Sequence, residues 1–111
     1  MDKLDSYRDI IQNILEYHHR IPYTYGEIDS KLIIDCERNN FVLMNAGWLG
    51  NQRVHGVIVH VEIINDKIWI QRDGIEDGIT CELVAAGVPK DDIVLAFHPE
   101  YVRQHTGYAI N

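Results

Sequence analysis

Apolar residues in 2–19 recur at steps of three and four. Leu4, Tyr7, Ile11, Ile14, Leu15 and His18 fall on one face of a helix. Asp2 and Asp5 stand where the partial positive charge of a helix N-terminus favours anions, and His18, His19 and Arg20 stand at the opposite end. Pro22 ends the helix, because the residue before a proline avoids helical backbone angles. Residues 21–30, IPYTYGEIDS, read as a connector whose Tyr23 and Tyr25 lie flat over a core edge.

The period then changes to two. Lys31–Glu37 alternates, with Leu32, Ile34 and Cys36 on one side and Ile33, Asp35 and Glu37 on the other. Arg38-Asn39-Asn40 is a turn, and Phe41–Trp48 is the returning strand. Gly47–Gln52 breaks the pattern and leads into residues 53–73, RVHGVIVHVEIINDKIWIQRD, the stretch on which the fold is organised. Its β-branched and aromatic residues favour strands, and Asn65-Asp66 between the two runs suits a tight hairpin turn. Alternation places Val57, Val59, Val61 and Ile63 on one wholly apolar face. Ile58, His60, Glu62 and Ile64 fall on a mixed face. The leading helix is the natural cover for the apolar face.

Beyond Asp73-Gly74, residues 76–86 read as a second helix with Ile79, Leu83 and Ala86 on one face and Asp77 near its start. Gly87 suits a left-handed cap, with Pro89 preventing continuation. Val88–Asp92 turns, Ile93–Phe97 is extended, and Pro99 opens a short helix through His105 that Gly107 ends. The expected fold is α+β and two-layered: an N-terminal helix, a four-stranded antiparallel meander, a C-terminal helix and a structured tail.

At 111 residues the chain is expected to form a single domain spanning 1–111. Ten basic against seventeen acidic residues give a formal charge of −7. That balance opposes autonomous nucleic-acid binding, whose affinity comes largely from Lys and Arg displacing counterions. The N-terminus has no basic region leading into an apolar core, and no apolar run is long enough to cross a bilayer. A cytoplasmic protein is expected, with Cys36 and Cys81 as reduced, packed thiols.

Six histidines raise metal binding. His18 and His19 are adjacent on a helix and cannot converge on one ion. His55 and His60 differ in strand parity, so they oppose each other unless a bulge intervenes. Only His60 and Glu62 share a face, short of the three or four ligands zinc needs, so no metal or cofactor is expected. Asp73, Glu76 and Asp77 could bind Mg²⁺ or act as acid and base, but at a turn entering a helix such residues more often cap. Arg53, Arg72 and Arg103 with Trp48 and Trp69 could offer cations and stacking to nucleic acid. A fixed ion network between Arg72 and the acidic cluster is the plainer reading. The mixed face, which Trp69 and Gln71 join, is too apolar for open water and needs cover from the tail, a partner, or both.

Several segments carry a resemblance: Gly47-Trp48, Arg53-Val54-His55-Gly56, His60, the run Lys67-Ile68-Trp69-Ile70-Gln71-Arg72-Asp73-Gly74, Glu76-Asp77-Gly78-Ile79, Gly87-Val88-Pro89-Lys90, Asp92-Ile93-Val94-Leu95 and Phe97-His98-Pro99, then Arg103 and Thr106. Over nearly its whole length the chain resembles the XisI family of cyanobacterial fdxN-element excision controlling factors. It departs at Ile75, Ala96 and Glu100, in or beside connecting segments, where the family pattern has Thr, Gly and Pro. The resemblance implies a factor required for excising a DNA element during heterocyst differentiation, alongside a site-specific recombinase and a XisH-type partner. It supplies no catalytic residues. The leading expectation is therefore a non-enzymatic accessory protein acting by protein–protein contact, with self-association left open. Candidate contact residues are Trp48, Arg53, His60, Trp69, Gln71, Arg72 and Asp73. A DNA-binding cofactor using the three arginines is the second reading. A metal-dependent hydrolase at Asp73, Glu76, Asp77 and His98 is the third.

Overall fold

The structure, a computed structural model, describes residues 3–21, 27–75 and 78–111. Helix α1 (Lys3–Arg20) buries Tyr7, Ile11 and Leu15, the stripe expected from the three- and four-residue spacing. Strands β1 (Glu27–Ile34), β2 (Asn40–Leu49), β3 (Gln52–Ile64) and β4 (Lys67–Asp73) follow, then α2 (Ile79–Ala85), β5 (Ile93–Leu95) and α3 (Glu100–Arg103). The strands lie in the order β1-β2-β3-β4-β5, antiparallel through β4, with β5 parallel to β4. The expected four-stranded meander is thus a five-stranded mixed sheet. The added strand is too short to carry a period, and only the crossover through α2 lays it beside β4. The Ala96 N–H continues that ladder to the Ile70 carbonyl at 2.9 Å.

The core lies on the inner face of the sheet. Phe41, Leu43, Val59, Val61, Ile68, Ile70, Ile93 and Leu95 pack against α1 and against Ile79 and Leu83 of α2. β1 starts earlier than Lys31 and ends before Cys36. The Asp35 carboxylate turns the chain there by accepting the N–H groups of Asn39 (2.7 Å) and Asn40 (3.2 Å). Those bonds, Asn39 foremost, hold its pKa below the usual carboxylate range. Cys36 and Cys81 are both free and exposed rather than packed, Cys36 past the end of β1 and Cys81 on α2.

The hairpin turn is as expected: Asn65 and Asp66 have φ of 51° and 65°, the pair of positive angles that a two-residue type I′ turn requires. Gly87, φ 104°, ends α2, and the Val88 N–H reaches back to the Leu83 carbonyl at 3.1 Å. Gly47 serves close approach instead, since a Cβ there would lie 2.0 Å from the Glu27 carbonyl oxygen of β1. α2 is described from Ile79, after Gly78; the start expected at Glu76 and Asp77 falls outside the described residues, as do Pro22, Tyr23 and Tyr25.

Strand parity in β3 needs correction. Leu43 pairs with Val59 but Met44 pairs with Val57, so Ile58 is an extra residue in the ladder. Such a bulge flips the side of everything before it. Val59 therefore points inward and is fully buried, whereas Val57 points outward and is 39 % exposed. Ile58, expected on the mixed face, packs against the core. A second shift pairs His60 with Arg72 and Val61 with Ile70, leaving Gln71 as the extra residue in β4.

Candidate protein-docking face

The outer face of the sheet follows from the register, row by row. Glu27, Trp48 and Arg53 stand abreast, then Asp29, Ala46 and His55, then Lys31, Met44 and Val57. Beyond the bulge the row is Ile33, Val42, His60 and Arg72. The bulge at Ile58 puts His55 and His60 on the same face, the exception that parity alone allowed. Ile33 is 51 % exposed, Trp48 48 % and Phe97 46 %. With Val57 they leave an apolar, aromatic band in water, flanked by charge.

The sheet's other end is covered. Ala109 bridges to Val94 of β5, and the Arg103 guanidinium lies 5.5 Å from the Trp69 ring centre. Arg103 is fixed there, donating to the His98 carbonyl at 2.9 Å and the Ile110 carbonyl at 3.1 Å. The Trp69 indole nitrogen is buried without a hydrogen-bond partner among the described residues. The chain's own tail thus covers Trp69 and leaves Trp48 open.

The remaining candidates separate. Arg53 stacks on Trp48 at 5.3 Å and donates to the Gly47 carbonyl at 3.3 Å. His60 Nε2 lies 3.4 Å from Asn40 Oδ1 and 3.5 Å from Glu62 Oε1. Gln71, Arg72 and Asp73 join His60, Val57 and Phe97 around an open groove of about 480 Å³. Arg72 forms no ion pair with Asp73. Asp73 instead caps α2, its Oδ2 accepting the Ile79 N–H at 2.9 Å. The three arginines form no single basic patch, because Arg103 is committed to the tail while Arg53 and Arg72 stand rows apart.

No group of three metal-ligating side chains occurs among the described residues. His18 and His19 diverge as expected, His18 to Glu82 Oε2 at 2.8 Å and His19 to the Ser30 hydroxyl at 2.6 Å. Among the described residues no helix is long and apolar enough to cross a membrane. Ile33, Val57 and Phe97 are the face residues that sequence reasoning missed. Ile33 was visible as the lone apolar residue on the charged side of its strand, whereas Val57 is exposed only by the bulge.

Fold and face together define a small two-layer α+β protein whose outer sheet surface is half covered by its own tail and half open. The XisI protein family model matches residues 1–110, and the chain belongs to that family. Two solved structures from Anabaena variabilis ATCC 29413 are similar to it. One, a XisI-like protein, is 33 % identical, with 97 % of this chain and 99 % of that one covered at a TM-score of 0.89. The other, fdxN element excision controlling factor XisI, is 37 % identical, with 99 % and 100 % covered at 0.83. Comparison with curated proteins returns no match.

Proposed function

We propose that this chain is a controlling factor for excision of a DNA element, the role named for its fdxN relative, and that it acts by protein–protein contact rather than catalysis. The partner in this reading is a XisH-type protein, and the setting is site-specific recombination during heterocyst differentiation. The observation that carries the reading is the open band of Trp48, Val57, Ile33 and Phe97 on the outer face. An exposed indole at the end of the outward row Val42, Met44 and Ala46 of β2, rimmed by Arg53, His55 and Lys31, has the make-up of a contact centre with a polar rim. The formal charge of −7 supports it, since an acidic protein is drawn toward the basic surface of one that acts on DNA.

The test is co-expression and capture with a XisH-type protein. Trp48→Ala is the informative variant, because Trp69→Ala would also unseat the tail held by Arg103. A wild-type complex is expected, weakened roughly thirty-fold by Trp48→Ala at unchanged circular dichroism, the loss typical of an interface hot spot. Absence of any complex, or a complex indifferent to both Trp48→Ala and Val57→Lys, refutes the reading.

A further inference from the structure

β5 is flanked by the tail, but β1 forms the other edge of the sheet, and among the described residues no strand pairs with its outer side. Exposed edge strands are usually blunted by a proline, a bulge or shortness. Among the described residues β1 carries no proline and no bulge and runs for eight residues in unbroken register with β2; the charges that it does carry, Glu27, Asp29 and Lys31, are of both signs.

Which backbone groups are free follows from the turn. The Asp35 N–H donates to the Asn40 carbonyl at 3.3 Å, so the odd-numbered residues of β1 are those bonded to β2. Ile28, Ser30, Leu32 and Ile34 therefore direct their N–H and C=O groups away from the sheet. Their side chains lie on the inner face and are only half-buried. Leu32 and Ile34 line an open groove of about 550 Å³ beside Glu16, His19 and Arg20 of α1.

We propose that this edge pairs with the same edge of a second copy, antiparallel, about a two-fold axis at Ser30, joining two five-stranded sheets into one. Among axes at residues 28–31 the charges select this register. With the axis at Ser30, Asp29 of each copy faces Lys31 of the other on the outer face, and both unlike pairs form at once. An axis at Asp29 or Lys31 sets like charges directly opposite, and one at Ile28 sets Glu27 against Asp29. Neither Asp29 nor Lys31 forms an ion pair among the described residues, so both are available. On the inner face the same register lays Leu32 of each copy, at the edge of its groove, against Ile28 of the other. A self-complementary patch is what a two-fold interface requires. The inference does not rest on the partner reading above, which uses the face of the sheet rather than its edge.

Sedimentation of the full chain over a range of concentrations tests it. The wild type is expected to dimerise. Asp29→Lys and Lys31→Asp are each expected to self-associate roughly ten- to a hundred-fold more weakly, since each turns two attractive cross-strand pairs into two repulsive ones. A mixture of the two variants is expected to dimerise again, one edge all basic and the other all acidic, as is the double swap Asp29→Lys/Lys31→Asp. A monomeric wild type overturns the inference. So does a dimer that both single variants leave intact, or single variants that do not recover on mixing.

Discussion

Asp73 distinguishes a structural carboxylate from a chemical one, and its replacement has a calculable cost. Helix α2 is seven residues long and starts after Gly78, which has φ 77° and no side chain to cap it. The cap is supplied from outside the helix, by the Asp73 carboxylate at the end of β4. Its Oδ2 accepts the Ile79 N–H at 2.9 Å, and its Oδ1 lies 3.4 Å from the Ile75 nitrogen. The bonded Ile79 is itself 1 % exposed and anchors the helix in the core with Leu83. Losing an N-cap costs about 0.5–2 kcal/mol, and a hydrogen bond to a charged group contributes roughly 1.5–3 kcal/mol. Asp73→Ala is therefore expected to destabilise by about 2 kcal/mol, the two ranges meeting there because the stranded N–H adjoins buried surface. Asp73→Asn keeps an acceptor oxygen and should lose less than about 1 kcal/mol.

Urea unfolding measures this directly. For a small protein the slope is about 1–3 kcal/mol per molar urea, so the midpoint of Asp73→Ala should fall by roughly 1 M at unchanged slope. Amide exchange at Ile79 and Leu83 should accelerate with it. A loss below about 0.5 kcal/mol, or an Asn variant as damaged as the Ala variant, refutes the capping account. A carboxylate used in chemistry would show another pattern, with both variants equally inactive and neither much destabilised.

Two further outcomes follow from particular contacts. The Tyr7 hydroxyl donates to Asp92, and burial together with that carboxylate raises the phenol from 10.0 to about 12. The raised group favours the protonated, folded form, so its contribution is complete below pH 10.0 and is lost as pH climbs toward 12. Ultraviolet titration should show one tyrosine ionising late, and Tyr7→Phe should remove both that step and the matching alkaline loss of stability. An unchanged late step in Tyr7→Phe contradicts the assignment. Gly47→Ala places a Cβ 2.0 Å from the Glu27 carbonyl, so β1 must lift from β2 at a cost of about 1–3 kcal/mol. Exchange at the Asp29 and Lys31 amides should rise first, and full protection there would contradict the close approach.

What the sequence disclosed depended on whether a residue's neighbours in the chain were also its neighbours in space. The α1 stripe, the Asn65-Asp66 turn and the Gly87 cap are local, and each follows from a spacing or a backbone angle. β5 depends on a crossover that only the packed structure reveals. The fate of the mixed face turned on a single inserted residue. Ile58 obeys the alternation rule on both sides of itself and breaks it between them, so Val57 was read as core and is exposed. Of the candidate contact residues, Trp69 and Asp73 were singled out by residue type. Their surroundings are supplied by Arg103 and Ile79, which lie 34 and 6 residues further along the chain.

The edge and the face of this sheet are separate surfaces, and the register makes them compatible. A two-fold axis at Ser30 runs perpendicular to the sheet, so joining the edges leaves both outer faces on one side of the combined sheet. Asp29 and Lys31 then sit at the centre of that side, with Glu27 of each copy beside Ile33 of the other. Each open band borders the seam through Ile33, so a partner covering one would reach toward the second. Asp29→Lys would in that case weaken partner capture even though Asp29 lies outside the apolar band, whereas Trp48→Ala would weaken capture and leave self-association intact. The two variants thus separate loss of the seam from loss of the face, and equal effects of both on dimerisation would contradict the division of surfaces argued here.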